Sequence, residues 1–288
     1  MDGKIVTEEI VLLFFVLFAL ALIGSGLTCG LTGAFASGSW LWLLPVSLLG
    51  YFLLQAALVF AYLLYLCKKV DQSVPQEQDD AHYRTVANLI IESVLPILRI
   101  HIEKRGLEKM PKEGRFLLVS NHCNDSDPII LLRCLAKYQL AFVSKRENST
   151  MFVIGPMMHK LLCQMINREN DREALKTILK CIEIIKEDKA SVAVFPEGGI
   201  LTEDGKLHHF KAGVFKIAQK ANVPVVVCTL KNTKDVVKNL LRWKPSHVIM
   251  EVVDVIPAEQ VKAMKTVEIA EVCHELMANN LGPDLVSD

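Results

Sequence analysis

The sequence predicts an α/β fold, a central mostly parallel or mixed sheet flanked by helices, preceded by an N-terminal two-helix membrane hairpin. Two long uncharged apolar runs fill the first seventy residues, a polar proline-punctuated stretch follows, and beyond it short β-branched runs alternate with helical patterns. Such alternation marks a layered α/β domain. An uncharged run longer than ~20 residues is long enough to span a bilayer.

The chain has 288 residues, 51% hydrophobic and 22% charged, with a mean hydropathy of +0.32. The apolar excess is concentrated in residues 1–69. The first run is "IVLLFFVLFALALIGSGLTCGLTGAF"; the second, "WLWLLPVSLLGYFLLQAALVFAYLLYL", is followed closely by Lys68 and Lys69. The opening "MDGKIVTEE" is acidic and a second apolar run follows, which argues against a secretory signal. The connection around Ser37 to Ser39 is uncharged while Lys4, Lys68 and Lys69 lie outside the runs, so the positive-inside bias puts both ends in the cytoplasm. Gly26 and Gly30 form a G-x-x-x-G, read either as a close-packing seam or as chance small residues. A shallow re-entrant hairpin is the alternative to two full spans. Trp40, Trp42 and Tyr65 suit membrane interfaces.

Residues 70–80, within "DQSVPQEQDDAH", read as a linker, 81–280 as the α/β domain and 281–288 as a flexible tail. A helical pattern precedes Pro96. Strand-like runs follow at "RIHIE", "RFLLVS", "LAFVSK", "SVAVF", "PVVVCTL" and "HVIMEVVDVI". Helical patterns cover Pro128 to Lys137, Asp171 to Glu187, Phe210 to Ala221 and Ala258 to Asn279.

Formal net charge is zero, so global charge gives no sign of a nucleic-acid partner. Between Arg99 and Lys176, however, basic residues outnumber acidic ones by about five, enough to face an anionic substrate or lipid headgroups. The eight cysteines form no C-x-x-C pair, which removes zinc-ribbon and thioredoxin-like readings. Most sit in apolar runs, as reduced buried thiols do.

Three stretches carry candidate chemistry. In "NHCNDSDP", His122 and Asp127 are five residues apart, about 140° around a helix, so they meet only across a strand end and a tight turn. There a carboxylate holds one imidazole nitrogen and leaves the other as a base. The competing reading makes Asp127 the N-cap of a helix with Pro128 at its first position. A metal site of His122, Asp125 and Asp127 has no companion cluster elsewhere. In "VAVFPEGG", a buried strand runs into Glu197, Gly198 and Gly199, either turning amides toward an anion or making a plain turn. "SKREN" and "INREN" place Lys145, Arg146, Glu147 and Arg168 near strand ends, as ligand contacts or as ordinary surface charge.

Together and in order, these residues resemble the glycerolipid acyltransferase family, typified by the 1-acyl-sn-glycerol-3-phosphate acyltransferases. Its N-H-x-x-x-x-D block matches Asn121, His122 and Asp127. The K-x-E block, with its later glycine and I-D-R end, matches Lys145, Glu147, Gly155 and Ile166 to Arg168. The F-P-E-G and F-K-x-G blocks match Phe195 to Gly198 and Phe210, Lys211 and Gly213. The V-P-[IV]-V strand matches Val223 to Val226. The resemblance covers about Gly106 to Thr229.

The resemblance implies a membrane-bound O-acyltransferase moving a fatty acyl group from acyl-CoA or acyl-carrier protein to the sn-2 hydroxyl of 1-acylglycerol-3-phosphate, giving phosphatidate. His122 would be the general base and Asp127 its orienting partner, with no acyl-enzyme and no role for Cys123 as nucleophile. Glu197, Gly198, Gly199, Lys145, Arg168 and Lys211 would bind substrate. It implies no metal and no cofactor, membrane lipids as partners, and a cell-membrane location with the catalytic domain on the cytoplasmic side. The family's T-R-S after F-P-E-G is Gly199, Ile200 and Leu201 here, so its phosphate-binding arginine is missing. Phe152 and Val227 replace two family prolines. The alternatives are the same chemistry on another lysophospholipid or an aminolipid, a non-catalytic lipid-binding protein, and a metal-dependent lipid hydrolase.

Overall fold

The computed structural model describes residues 2–200 and 205–287, with side chains from Phe15 onward. The chain divides into two compact units, Met1–Asp71 and Gln72–Asp288. The first holds α1 (Asp2–Leu31), a short α2 (Ala34–Ser37) and α3 (Trp40–Lys68). Contacts descend α3 as they climb α1, so the two run antiparallel. Gln55 Nε2 donates to the Leu17 carbonyl at 3.0 Å and Phe18 lies 6.0 Å from Phe52. The Thr28 and Tyr51 hydroxyls are 3.2 Å apart. The close approach is made by Gly24, where a Cβ would lie 2.8 Å from the Tyr51 ring. A Cβ on Gly26 or Gly30, the glycines of the G-x-x-x-G, would meet nothing within 4 Å among the described residues, so they are not the packing seam there. The α3 helix is long and apolar enough to cross a membrane, and Phe15–Leu31 is a shorter apolar stretch.

In the second unit the polar stretch through Asp80 has no regular structure, yet its end is anchored. Asp80 caps α4 (Ala81–Ile97), accepting from the His82 and Tyr83 amides. Asp79 accepts from Arg84 Nε and Nη2, both at 2.6 Å, and the two side chains are only 4% and 8% exposed. Arg84 Nη2 also donates to the Leu140 carbonyl at 3.1 Å.

The chain continues through β1 (Ile100–Arg105), β2 (Leu117–Ser120), α5 (Asp127–Cys134), β3 (Leu140–Lys145), α6 (Ile154–Lys160), β4 (Gln164–Ile166), α7 (Asp171–Lys186) and β5 (Ser191–Val194). It ends with α8 (Lys216–Ala221), β6 (Val225–Lys231), α9 (Val236–Leu241), β7 (Ser246–Ile256), α10 (Ala258–Ala263) and α11 (Thr266–Leu281). The sheet order is β1-β7-β6-β2-β5-β3-β4. All pairs are parallel except β6 with β7, so the sheet is mixed and mostly parallel.

Strand alternation divides the core into two layers. Leu117, Val119, Val192 and Val225 face α7, α8 and α11; Leu118, Ala193, Val226 and Val248 face α4 and α5. Burial on both faces explains why β2 and β5 read as unbroken apolar runs. β4, α6 and α9 were not apparent in the sequence, and the single pattern from Ala258 to Asn279 is two helices broken at Met264 and Lys265. The C-terminal residues, expected as a flexible tail, pair with the chain at Leu207: its amide donates to the Leu285 carbonyl at 2.8 Å, and its carbonyl accepts from Ser287 N–H at 3.0 Å.

Removing one partner of a buried ion pair strands the other charge. Arg84→Ala or Asp79→Ala is expected to cost about 3–5 kcal/mol, read from the urea midpoint of the full chain in detergent. The Arg84→Met, Asp79→Leu double variant is expected to lose less than either single one.

Candidate active site

The parallel strands β2, β5, β3 and β4 are adjacent, so their C-terminal ends meet at one sheet edge, where open α/β sheets bind ligands. β2 delivers Asn121 and His122, β5 delivers Phe195 to Gly199, β3 ends on Lys145, and Arg168 follows β4. Blocks spread over eighty residues of sequence are thereby gathered into one place.

His122 Nδ1 lies 3.0 Å from Asp127 Oδ2. Asp127 is fully buried, and the same oxygen accepts from the Cys123 amide at 2.7 Å and the Asn124 amide at 2.8 Å. This corrects the capping expectation. The carboxylate faces back into the preceding loop, and α5 begins on Asp127 itself, with Ser126 at the N-cap position and no side-chain cap. Asp127 Oδ1 is buried with no hydrogen-bond partner among the described residues, and the loop and the histidine converge on the other oxygen. The His122 ring stacks on Phe195 at 4.1 Å and 16°. With Nδ1 held, Nε2 is the ring nitrogen left for a substrate proton.

Glu197 is only 2% exposed. Its Oε1 accepts from the His122 amide at 2.8 Å and its Oε2 from the His208 amide at 3.0 Å. Burial raises its carboxyl pKa above the usual range, and these two hydrogen bonds offset only part of that rise. Both oxygens are engaged by the main chain. Glu197 therefore joins the ends of β2 and β5 to the segment before Lys211. Asn121 braces the other side: Nδ2 donates to the Leu230 carbonyl at 2.9 Å, and Oδ1 accepts from the Leu230 amide at 2.7 Å.

Gly198 and Gly199 have φ values of +85° and +144°, in the region that favours glycine. A Cβ on Gly198 would lie 2.9 Å from Lys211 Cε, and one on Gly199 would lie 2.7 Å from Arg168 Nη1. Two of the expected cations thus close around the glycine pair. Lys145 lies at the exposed end of β3, in register with Ile166. Partial burial lowers the Arg168 guanidinium's pKa and the charge of Glu147 raises it. The Gly198 amide donates to the Phe195 carbonyl at 3.0 Å, so it closes the turn instead of facing an anion. Ile200 is 40% exposed, and Leu201 lies outside the described residues.

Cys123 Sγ sits 3.5 Å from the Gly205 carbonyl and 3.4 Å from Asn121 Nδ2. Among the described residues, no three His, Cys, Asp or Glu side chains cluster to hold a metal ion. Sequence reasoning missed the task of Asn121, the Phe195 platform and the His208 amide. The available signals were an asparagine closing an apolar strand and an aromatic residue heading the glutamate turn.

Residues 101–231 match the family model described as Acyltransferase. A chloroplastic 1-acyl-sn-glycerol-3-phosphate acyltransferase of Brassica napus is 36% identical over 49% of this chain and 40% of its own length. An enzyme of the same name from Haemophilus influenzae is 26% identical over 65% of this chain and 76% of its own. The crystal structure of the 1-acyl-sn-glycerophosphate acyltransferase of Thermotoga maritima superposes with a TM-score of 0.56 at 22% identity, over 78% of this chain and 91% of that one. The chain spans only 40% and 38% of the Brassica napus and Arabidopsis thaliana relatives.

Glu197→Ala strands the amides of His122 and His208, at about 1–3 kcal/mol for each buried donor, measured as a lowered urea midpoint. The acid limb gives a second readout. With its pKa raised in the fold, Glu197 binds a proton more readily folded than unfolded, so its contribution to stability falls as pH rises from the ordinary glutamate range through the raised value. Glu197→Gln is expected to remove that slope.

Proposed function

From the match of residues 101–231 to the Acyltransferase family model, we propose that the chain carries a fatty acyl group from acyl-CoA or acyl-carrier protein to the sn-2 hydroxyl of 1-acylglycerol-3-phosphate, giving phosphatidate. The observation that carries this reading is the 3.0 Å contact of His122 Nδ1 with a fully buried Asp127 carboxylate. His122 Nε2 takes the proton of the acceptor hydroxyl as its oxygen attacks the thioester carbonyl. The tetrahedral adduct collapses to the ester, and the departing thiolate takes the proton back from the imidazolium. Asp127 holds the tautomer and stabilises that cation. No acyl-enzyme and no cofactor enters this scheme; Cys123 is turned toward Asn121 and Gly205.

The phosphate of the acceptor falls to Arg168 and Lys211. Arg168 leans over Gly199 from the end of β4, which supports it as the replacement for the arginine that Ile200 displaces. The planar guanidinium suits a phosphate monoester. Two long apolar helices, α1 and α3, support membrane anchorage, with the catalytic unit on the cytoplasmic side of the cell membrane. A second reading, transfer to another lysophospholipid or an aminolipid, is favoured by Ile200 alone.

A mass-spectrometric assay of the purified chain, crossing both donors with a panel of lysolipids, tests the reaction; preference for a phosphate-free acceptor overturns the choice of substrate. His122→Ala is expected to keep its thermal transition and lose about 10²–10⁴-fold in turnover. Turnover at the wild-type level in that variant would sink the mechanism. Arg168→Ala is expected to raise KM for lysophosphatidate by about 10–100-fold, the equivalent of one lost charge-assisted hydrogen bond, with little change toward a phosphate-free acceptor.

A further inference from the structure

The segment from α9 to Lys244 exposes a run of apolar side chains among the described residues. Val237 is 53% exposed, Leu240 39%, Leu241 78% and Trp243 82%. Lys238, Arg242 and Lys244 are interleaved with them and are also exposed; the acid nearby is Asp235, 3.7 Å from Lys238. A tryptophan that is four-fifths in water is not left there by a loose loop. Trp243 has φ +54°, uncommon for a residue with a side chain, and its main chain is held from several directions. Its amide donates to the Leu240 carbonyl at 3.0 Å, the Lys244 amide to Asn239 at 2.9 Å, and the Arg99 guanidinium to the Trp243 carbonyl. A constrained backbone thus presents the indole outward.

The segment also adjoins the active-site loop. It follows β6, whose Leu230 is clamped by Asn121. Asn124 Nδ2 donates to the Lys234 carbonyl at 3.5 Å, and Lys234 packs over Gly205, where a Cβ would meet its Cδ at 2.7 Å.

We propose that α9 and Trp243 form an interfacial wedge that seats the catalytic unit on an anionic phospholipid surface, beside the mouth of the His122 site. Aromatic rings prefer the headgroup level of a bilayer. Leucines on a short amphipathic turn bury below it, and lysine and arginine draw the turn to anionic lipid. The charge pattern selects this occupant over a neutral apolar protein face. The contact is separate from α1 and α3, and it stands whichever lipid accepts the acyl group.

The test uses the full chain with Trp40→Phe and Trp42→Phe, leaving Trp243 as its sole tryptophan, reconstituted into vesicles of phosphatidylcholine and phosphatidylglycerol. Bromine-labelled lipid is expected to quench Trp243 and its emission to shift to the blue. Both effects are expected to be lost in pure phosphatidylcholine, at high salt, and in the Lys238→Glu, Arg242→Glu, Lys244→Glu variant, provided circular dichroism shows that the variant keeps its fold. Trp243 that stays open to aqueous iodide and blind to bromolipid, in chains that co-float with the vesicles, overturns the proposal. So does a blue shift that grows with protein concentration in lipid-free detergent alongside a doubled mass, which would assign the face to a second copy.

Discussion

Glu197 accepts the amides of His122 and His208 on its two carboxylate oxygens while shielded from water. Desolvating a carboxylate is costly, and two fixed N–H donors offset only part of that cost. The fold accepts this where three segments of chain must be held in register: the end of β2, the turn after β5, and the approach to Lys211. With that joint in place, the Phe195 ring lies against His122 and Lys211 reaches Gly198. His122 is therefore positioned through its main chain by one acid and through its side chain by another. Glu197 fixes where His122 stands, and Asp127 fixes which way its ring points.

The cationic side of the site is arranged differently. Arg168 and Lys211 are long flexible side chains whose heads stop where glycine Cβ atoms would otherwise be. The arginine expected on the glutamate turn itself is Ile200, and Arg168 reaches the same turn from the end of β4, two strands away. The absence of a side chain at Gly199 and the presence of Arg168 beside it are two halves of one arrangement.

Much of this was legible beforehand. The apolar and β-branched runs marked six of the seven described strands: β2, β5 and β6 because strands buried on both faces are apolar nearly throughout, β1 and β7 by their alternation. β4 escaped notice: Gln164, Met165 and Ile166 make a half-buried edge with too few residues to show a period. The spacing of His122 and Asp127 allowed a contact across a turn at the strand end, and the family resemblance made that contact the expectation. The direction of the Asp127 carboxylate was not foretold, for a proline after an aspartate suits a helix start whichever way the side chain faces. Gly24 displaced Gly26 and Gly30 as the packing glycine for a similar reason. Small-residue spacing records that an approach is possible, and the bulk across from it, here Tyr51, decides where it occurs.

Cys123 and Asn124 both serve Asp127 through their peptide N–H groups, at 2.7 and 2.8 Å. Any amino acid but proline offers that donor. Apart from the small turn in which Asn124 Oδ1 accepts the Ser126 amide at 3.0 Å, the side chains between histidine and aspartate are bystanders to the pairing. Their number is not. Adding or deleting one would swing the carboxylate off the ring nitrogen, whereas exchanging one would leave the two within reach. The motif behaves as a ruler cut from backbone, indifferent to lettering and intolerant of a change in length.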